Sequence, residues 1–464
     1  MNKNDIIKLN IEKTSSDGRG IGYVDGKICF VHGTLENETV KAKVYTIHKA
    51  YITAGAVDVI TPSPERLYDY CPHSELCGGC PLSHITYEKQ KEIKRQHVVD
   101  TLSRIGGIEN AESITEATLG MEKPQHYRNK MVFPVGEKDG SAIGGFYGSR
   151  SHDVVELTSC GVGEDCAVTI LSTVLEFMNE EHIPAYCEKT HRGTIRRVFV
   201  RTGYHSKELM IVISSATEKI KNLEKLTEKL ISQLFGEYNL RSIVLNINNA
   251  KNNLVLGAKN ITLWGEDTIS DSILGLDFSI SPHSFFQVNP HQTEKLYQKA
   301  LDLAEIDQSK TVLDIYCGIG TISLCAAKNA KKVIGVEIVP QAIQDANENA
   351  KRNNLNNTEF YCGEAEQIVP KLIDKGERPD IVIIDPPRKG SDEKTLSAIV
   401  KASPERIVYV SCNPATLARD AKFLTENGYK LTSATPVDMF PFTEHIESVA
   451  KFERSDNNAR YKWR

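Results

Sequence analysis

The feature that most constrains the fold is a regular alternation of apolar and amphipathic segments that begins near residue 283. The apolar segments are short and almost continuously hydrophobic, which is typical of strands buried on both faces of a parallel sheet. Segments with helical periodicity separate them, and this alternation predicts an α/β fold with a doubly wound, Rossmann-like sheet. The predicted strands lie at 311–316, 332–337, 380–384 and 406–410, and the predicted helices at 291–305 and 340–354.

Two further regions precede this sheet. Residues 1–62 contain about five short segments with strand-like alternation and Gly-containing turns between them, which predicts a small closed β-barrel. Residues 63–282 mix β-rich segments with helical ones, so we expect a central mixed α+β domain. Its predicted helices lie at 84–105, 164–181 and 217–235. Residues 283–464 form the third expected domain, and the polar tail after Arg454 is expected to be frayed.

Composition limits the classes of protein to consider. The chain has 464 residues without a run of 18 apolar ones, so we expect no membrane span. Its first residues lack the pattern of a signal peptide, and we expect a cytoplasmic protein that acts as a monomer. A chain of this size does not need disulfides for stability, so its eleven cysteines are interpreted as thiols or metal ligands.

The net charge of −5 does not by itself indicate a nucleic-acid partner. Two local segments are nevertheless basic. Residues 188–201 contain five Lys or Arg residues against one acid, and residues 126–130 read His-Tyr-Arg-Asn-Lys. Such segments suit a phosphate backbone, although each could equally be a solvated strand face. Composition alone therefore leaves the partner open.

A glycine-containing loop follows the first predicted strand of the C-terminal sheet. Residues 314–320 read Asp-x-x-Cys-Gly-x-Gly and open a helix, so the backbone can turn tightly and approach a ligand closely. Glu337 ends the next predicted strand, where its carboxylate can accept hydrogen bonds from both ribose hydroxyls. Dinucleotide loops carry a third spaced glycine, but Ser323 occupies that position here. The loop therefore disfavours NAD and indicates a nucleoside cofactor without pyrophosphate, such as S-adenosylmethionine.

Three later motifs carry reactive side chains. Asp-Pro-Pro-Arg at 385–388 and Ser-Cys-Asn-Pro at 411–414 each follow an apolar predicted strand, and His-Ile-Glu stands at 445–447. We expect these motifs to place the thiol of Cys412 and several carboxylates at the carboxyl ends of neighbouring strands, where open α/β sheets bind ligands. A nucleophile beside a general base is an arrangement for covalent catalysis. The alternative for a lone cysteine is a buried structural residue.

Three more cysteines, Cys71, Cys77 and Cys80, are clustered in a loop that contains glycine and proline. Small residues between thiolates allow them to wrap a metal centre, and both zinc and a 4Fe–4S cluster accept such ligands. Either centre needs a fourth ligand, and spacing alone does not separate zinc from iron. Three unrelated buried cysteines are the alternative to both centres. The best candidate for the fourth ligand is Cys160, and the lesser ones are Cys166 and His73.

Together these motifs resemble the RumA-type 23S rRNA (uracil-5-)-methyltransferases, which are class I, S-adenosylmethionine-dependent RNA uridine carbon-5 methyltransferases. The likeness spans nearly the whole chain and includes an N-terminal TRAM barrel, carried here by residues 18–33. The other matching segments are Cys71…Cys77-Gly78-Gly79-Cys80 with Cys160, Phe-Phe-Gln-Val-Asn at 285–289, 314–318, 385–388, 411–420 and 445–447. The last four together are highly specific.

The resemblance implies a role for each motif. Cys412 would be the nucleophile, Glu447 the general base, and Phe285 would face the target base. The residues implied to hold a 4Fe–4S cluster are Cys71, Cys77, Cys80 and Cys160. The residues implied to line the cofactor and uracil pocket are Gln287, Tyr316, Glu337 and Asp385. Thr321 and Glu364 stand where asparagines often contact the cofactor in the family, and Glu364 is kept among the expected cofactor-binding residues.

The chemistry of uracil agrees with these residues. Carbon 5 is a poor nucleophile until a thiolate adds to carbon 6 and makes carbon 5 enolate-like, after which a base must remove the carbon 5 proton. The target base must also leave its stack to be reached from both sides. Methylation of a nitrogen would not require Cys412, and enzymes of that class tend to carry an aromatic residue after Pro-Pro, where Arg388 stands here.

We therefore expect a 23S rRNA (uracil-C5)-methyltransferase that uses S-adenosylmethionine and a 4Fe–4S cluster. The nearest alternative is a tRNA uridine-5-methyltransferase, since the TRAM barrel and the cysteine cluster favour rRNA without excluding tRNA. A non-catalytic RNA-binding protein of the same fold is the remaining alternative. The intact Cys412 and Glu447 argue against it.

Overall fold

The computed structural model describes residues 1–455 except 69, 70, 75, 149, 150, 152 and 253. The part of the expected frayed tail from residue 456 onward lies outside the described residues. Most of the described chain is built around three larger sheets and one two-stranded hairpin. None of the described helices is long and apolar enough to cross a membrane.

The N-terminal sheet has six strands, one more than the sequence suggested. They are β1 (Ile6–Asn10), β2 (Lys13–Thr14), β3 (Gly20–Val24), β4 (Lys27–His32), β5 (Thr39–Ile47) and β6 (Tyr51–Thr61), in the order β1-β5-β6-β4-β3-β2. Only two residues separate β1 from β2, and β1 also contacts β3, so the two ends of this order lie close together as in a barrel. Alternate side chains such as Cys29, Val31 and Val40 fill its core.

Two helices, α1 (Tyr87–Arg104) and α2 (Ala111–Ile114), lead to the central sheet. Its elements are β7 (Lys130–Lys138), β8 (Ser141–Tyr147), β9 (Val154–Glu156), α3 (Asp165–Glu181), β10 (Ile195–Thr202), β11 (Glu208–Ser215), α4 (Leu223–Ser232), β12 (Asn239–Ile247) and β13 (Lys259–Gly265). The strand order is β13-β12-β11-β10-β7-β8-β9. The helix α4 is shorter than the predicted 217–235, because Asn222 adopts a left-handed conformation with φ 53° at its start.

A hairpin of β14 (Ile269–Ile273) and β15 (Leu276–Ile280) precedes the C-terminal sheet. The elements that follow are α5 (Pro290–Ala304), β16 (Thr311–Ile315), α6 (Thr321–Ala327), β17 (Lys332–Glu337), α7 (Pro340–Arg352), β18 (Thr358–Cys362), α8 (Ala365–Asp374), β19 (Ile381–Ile384), α9 (Glu393–Ala402), β20 (Arg406–Ser411), α10 (Pro414–Glu426), β21 (Tyr429–Val437) and β22 (Glu447–Arg454). Their order is β18-β17-β16-β19-β20-β22-β21. The α/β fold with a Rossmann-like sheet is thus confirmed.

The sheet is not parallel throughout, because β22 runs antiparallel to both β20 and β21. The connection between β21 and β22 spans only residues 438–446 and contains no helix. Parallel neighbouring strands need a crossover of a dozen or more residues. Because this connection is shorter, the strand that follows it runs antiparallel to the strand before it. This reversal decides which end of β22 meets the functional edge of the sheet.

Helix α1 packs against the C-terminal sheet although it precedes the central domain in the chain. Its residues Val98, Val99 and Leu102 belong to the same buried core as Leu417 and Ala421 of α10. The division at 1–62, 63–282 and 283–464 remains a proposal, and α1 ties the second of these ranges to the third.

Candidate active site

One edge of the C-terminal sheet brings together the ends of five neighbouring strands. Glu337 ends β17, Tyr316 follows β16, Asp385 follows β19, Cys412 follows β20 and Glu447 begins β22. The strand order places these residues side by side in that sequence, although the chain visits β16 first. The order reverses between β16 and β19, which is the position where open α/β sheets bind ligands.

Glu447 lies beside Cys412 because Ser411 and Ser448 are directly opposed in the pairing of β20 with β22. The sequence suggested a carboxyl end for every such side chain, but Glu447 stands at the amino end of an antiparallel strand. Its side chain is buried, and burial raises its pKa well above the usual range. The charge of Asp385 raises this pKa further, and Arg388 opposes the shift.

Cys412 is half-buried at the start of α10. Burial and the nearby Glu447 and Asp385 raise the pKa of its thiol to about 11, while Arg388 lowers it. The next residue, Asn413, caps the helix by accepting a hydrogen bond from the Ala415 N–H at 3.1 Å. A helix amino terminus favours a negative charge, so this position partly offsets the repulsion by the two acids.

Asp385 and Asp314 form a second pair of acids behind the thiol. Burial and the charge of Asp314 raise the pKa of Asp385 to about 7. Asp314 is itself buried and accepts a hydrogen bond from the hydroxyl of Ser323, the residue that replaces a third glycine. Ser323 therefore anchors α6 to β16 in place of the close backbone contact that glycine would allow.

The loop after β16 needs unusual backbone geometry. Gly318 and Gly320 have φ of 55° and 83°, and Tyr316 also has a positive φ of 70°. A Cβ on Gly320 would lie 3.3 Å from Ala346 and Phe360, so only glycine fits there without displacement. A Cβ on Gly318 would meet no atom within 4 Å, so that glycine borders open space where a ligand can approach the backbone.

Glu337 faces this loop. Its carboxylate accepts hydrogen bonds from the N–H groups of Gly318 at 3.2 Å and Val339 at 3.0 Å. The two residues after it, Ile338 and Val339, are 54% and 49% exposed. A carboxylate, an open glycine and an exposed apolar pair fit the ribose and the base of an adenosyl group.

The remaining residues expected to line the pocket differ in how deeply they are buried. Gln287 is buried, and its carbonyl accepts a hydrogen bond from the side-chain amide of Asn129 at 3.1 Å. Phe285, two positions earlier, is 67% exposed. Glu364 is exposed at the start of α8 and accepts a hydrogen bond from the amide of Gln367, while Thr321 shares one of 3.0 Å with Tyr297.

The clustered cysteines lie within electrostatic reach of one another. Burial, together with the charges of Cys160, Cys77 and Cys71, raises the pKa of Cys80 to about 12. None of these four cysteines forms a disulfide with another described residue. Among the described residues, no group of three or more His, Cys, Asp and Glu side chains is arranged to hold a metal ion.

Several residues that hold the site carry no signal in the sequence. Lys94 of α1 and Asp438 form a buried ion pair, and Gln90 of α1 accepts a hydrogen bond from the Phe442 N–H at 2.8 Å. These contacts fix the segment 438–446, which leads into Glu447. They join positions hundreds of residues apart, so no local pattern identifies them.

Comparison with known proteins agrees with this geometry. The model of the tRNA (Uracil-5-)-methyltransferase family matches residues 204–455, and that of the TRAM domain matches residues 2–57. An uncharacterized RNA methyltransferase of Clostridium acetobutylicum is 42% identical over 454 residues, which cover 98% of each chain. One of Listeria monocytogenes serotype 4b is 45% identical over 449 residues, 97% of this chain and 98% of its own.

A solved structure covers almost the whole chain as well. It is the tRNA (uracil-54, C5)-methyltransferase of Pyrococcus abyssi in complex with S-adenosyl-L-homocysteine. Its TM-score is 0.76 at 27% sequence identity, and the match covers 96% of this chain and 100% of that one. The likeness therefore extends over nearly the whole chain and is not confined to the C-terminal sheet.

Proposed function

Because the chain belongs to the tRNA (uracil-5-)-methyltransferase family, we propose that it methylates carbon 5 of a uridine in 23S rRNA through a covalent adduct between Cys412 and carbon 6. Membership in this family makes the chain an S-adenosylmethionine-dependent RNA methyltransferase of the uracil-5 type. The observation that carries the proposal is the opposed pair Ser411 and Ser448, which sets the thiol of Cys412 beside the buried carboxyl of Glu447.

The proposed cycle uses these two side chains in turn. Cys412 would lose its proton to solvent water, and its sulfur would add to carbon 6, so that negative charge spreads over carbon 5 and oxygen 4 of the ring. S-adenosylmethionine, when bound, would supply an electrophilic methyl group. Carbon 5 would form its bond to that methyl carbon as the methyl–sulfonium bond breaks, and the electron pair of the broken bond would stay on the cofactor sulfur. Glu447 then takes the carbon 5 proton, the double bond re-forms, and the electron pair of the carbon 6–sulfur bond returns to sulfur.

Burial of Glu447 suits the role of a base in this cycle. A carboxylate with a pKa raised well above its usual range binds a proton more tightly than an exposed one and removes the carbon 5 proton more readily. Arg388 counters the charges of both Glu447 and Cys412, so it would keep the two anionic forms accessible.

The cofactor would lie across β17, β16 and β19. Glu337 would accept hydrogen bonds from the ribose hydroxyls, while Ile338 and Val339 would cover the adenine base. Tyr316, Gln287 and Asp385 would line the side that leads to Cys412, and Glu364 lies beyond Glu337 at the outer strand β18. The backbone N–H of Asp385 donates to the Ile315 carbonyl at 3.2 Å, and the Glu337 carboxylate accepts from the Gly318 N–H, so that the protein itself fixes both residues.

The cysteines Cys71, Cys77, Cys80 and Cys160 would hold a 4Fe–4S cluster. Cys160, Cys77 and Cys71 all act electrostatically on Cys80, and four cysteine thiolates are the ligand set that such a cluster requires. No proposed step transfers an electron, so the cluster would act structurally. Cys80 and Cys160 pack beside Tyr127 and Phe442, and the Tyr127 hydroxyl donates to the Pro441 carbonyl at 3.1 Å. The cluster would thereby support the segment that leads into Glu447.

Two RNA classes remain as substrates. The match to the TRAM domain and the cysteine motif favours 23S rRNA, which the RumA-type resemblance implies. A tRNA is the second candidate, because the similar solved structure from Pyrococcus abyssi is a tRNA (uracil-54, C5)-methyltransferase.

Mapping of 5-methyluridine in rRNA and tRNA from a deletion strain tests the proposal. We expect one or more 5-methyluridines of 23S rRNA to disappear and to return with the wild-type gene but not with the Cys412→Ala variant. Loss confined to tRNA would select the second candidate. Unchanged 5-methyluridine in both RNA classes would overturn the proposed function.

A further inference from the structure

Two cationic side chains lie side by side on one face of the central sheet. Lys130 of β7 and Arg201 of β10 are directly opposed in antiparallel pairing, so their side chains leave the same face of the sheet. Both approach the ring of Phe199, with the Lys130 Nζ 5.9 Å and the Arg201 guanidinium carbon 5.4 Å from its centroid. Like charges in directly opposed positions destabilise a sheet, so this arrangement is costly in the free protein.

No acid in the described chain compensates the charge of Lys130 and Arg201. In the part of the chain that the structure describes, neither cation forms an ion pair within 4.0 Å, and the neighbour Arg128 forms none either. Burial, Arg201 and Arg128 lower the pKa of Lys130 to about 8. Arg201 is 3% exposed, and burial lowers its pKa to about 10. These basic side chains thus hold positive charge that no carboxylate among the described residues neutralises in an ion pair.

The strands that carry these basic residues, β7 and β10, both lead into contacts with the segment 281–288. Arg201 donates hydrogen bonds to the carbonyls of Ser281 at 2.9 Å and Ser284 at 3.0 Å. Asn129, between Arg128 and Lys130, donates from its backbone N–H to the Val288 carbonyl at 2.8 Å. Asp345 accepts a hydrogen bond from the hydroxyl of Ser284 at 3.4 Å and forms no ion pair with the guanidinium. The cations therefore lie next to the segment that presents the exposed Phe285.

We propose that Arg128, Lys130 and Arg201 form a binding site for one phosphate diester group of the RNA, next to the nucleotide that enters the active site. This inference rests on the proposed function, because it concerns the same RNA. A phosphate oxygen accepts hydrogen bonds from guanidinium and ammonium groups, and its charge removes the repulsion between Lys130 and Arg201. The part-exposed Lys130 and Arg128 would receive the phosphate, and the buried Arg201 would act on it through its charge.

The Lys130→Met variant tests the site. Its affinity for a short single-stranded oligouridylate would be measured by fluorescence anisotropy over a series of KCl concentrations. We expect weaker binding and a slope of log K against log salt that is smaller by about 0.7, the value for one single-strand phosphate contact. Lys130→Arg should retain the wild-type slope. The matched control is Lys401→Met, which removes a lysine of α9 that pairs with Asp374 of α8. This variant should also retain the wild-type slope.

Thermal unfolding of the free variant separates binding from structure. Lys130→Met relieves a like-charge pair, so its Tm should equal or exceed that of the wild type, whereas a lysine needed for folding would lower it. An unchanged salt slope, or a lowered Tm with normal RNA affinity, would overturn the proposal. A decrease in S-adenosylmethionine affinity alone, measured by calorimetry, would show that these basic residues bind the carboxylate of the cofactor. That result would also overturn the proposal. Failure to lose any 5-methyluridine in the deletion strain contradicts the proposed function and leaves this binding measurement unaffected.

Discussion

Lys94 donates a hydrogen bond to Asp438 over 2.6 Å, and the two side chains are only 2% and 0% exposed. The same ammonium group donates to the Phe440 carbonyl at 3.0 Å. Helix α1 therefore holds the beginning of the segment 438–446, and the end of that segment delivers Glu447 to the active site. The ion pair links the packing of α1 to the position of the proposed base.

Lys94→Met should lower the free energy of unfolding by about 3–5 kcal/mol, because it leaves the carboxylate of Asp438 buried without its partner. Urea unfolding followed by circular dichroism measures this change. Lys401→Met removes an exposed lysine from its pair with Asp374 and should cost less than about 1 kcal/mol. Equal costs for the two variants would show that the buried pair does not stabilise the fold.

Cys412→Ala should abolish methylation and leave RNA affinity nearly unchanged, since the thiol is a reactant and only half-buried. The measurement is transfer of a radiolabelled methyl group to RNA, together with anisotropy for binding. Cys187→Ala, which removes an exposed cysteine of the central domain, should retain activity. Substantial methylation by the Cys412→Ala variant would refute the covalent mechanism.

Glu447→Gln should permit methyl transfer and prevent release, because the amide cannot accept the carbon 5 proton. A covalent complex of protein and RNA should therefore accumulate and survive a denaturing gel. Glu453→Gln changes a part-exposed acid later on the same strand and should turn over normally. Wild-type turnover by Glu447→Gln without an adduct would remove Glu447 from the role of base.

Alkylation of Cys412 should increase with pH, because only the thiolate reacts and its pKa is about 11 in the free protein. Below that pKa the rate should rise about tenfold for each pH unit. Glu447→Gln removes a negative charge beside the thiol, so its profile should shift to lower pH. Mass spectrometry of the peptide that contains Cys412, after treatment with iodoacetamide, follows the reaction. A profile that stays in place would mean that the two groups do not interact.

Purified protein should contain iron and sulfide in the amounts of one 4Fe–4S cluster. Cys80→Ser should lose them, unfold more easily in its central domain and methylate more slowly, because Cys80 packs with Phe442. Cofactor affinity, measured by calorimetry, should change little. Cys166→Ser tests the alternative fourth ligand and should keep its iron. Stoichiometric zinc without iron would contradict the cluster.

Much of the fold follows from local patterns. The apolar runs at 332–337 and 406–410 predicted β17 and β20 within one residue, because strands buried on both faces must be hydrophobic throughout. The glycines at 318 and 320 predicted the tight loop, and the structure gives both a positive φ. The antiparallel direction of β22 was not predicted, because the sequence of a strand does not specify the direction of its partners.

The sequence by itself determined which residue types could react and where each stands relative to its own strand or helix. Cys412 and Asp385 follow predictable strands and Glu337 ends one, so local periodicity was enough to place them at one edge. Only the tertiary structure decided that Glu447 arrives beside Cys412 from the opposite direction, that Lys94 neutralises Asp438, and that Lys130 faces Arg201. These pairs depend on register and packing between distant segments, because hydrogen-bond partners and burial are set by the assembled sheet and not by any single segment of the chain.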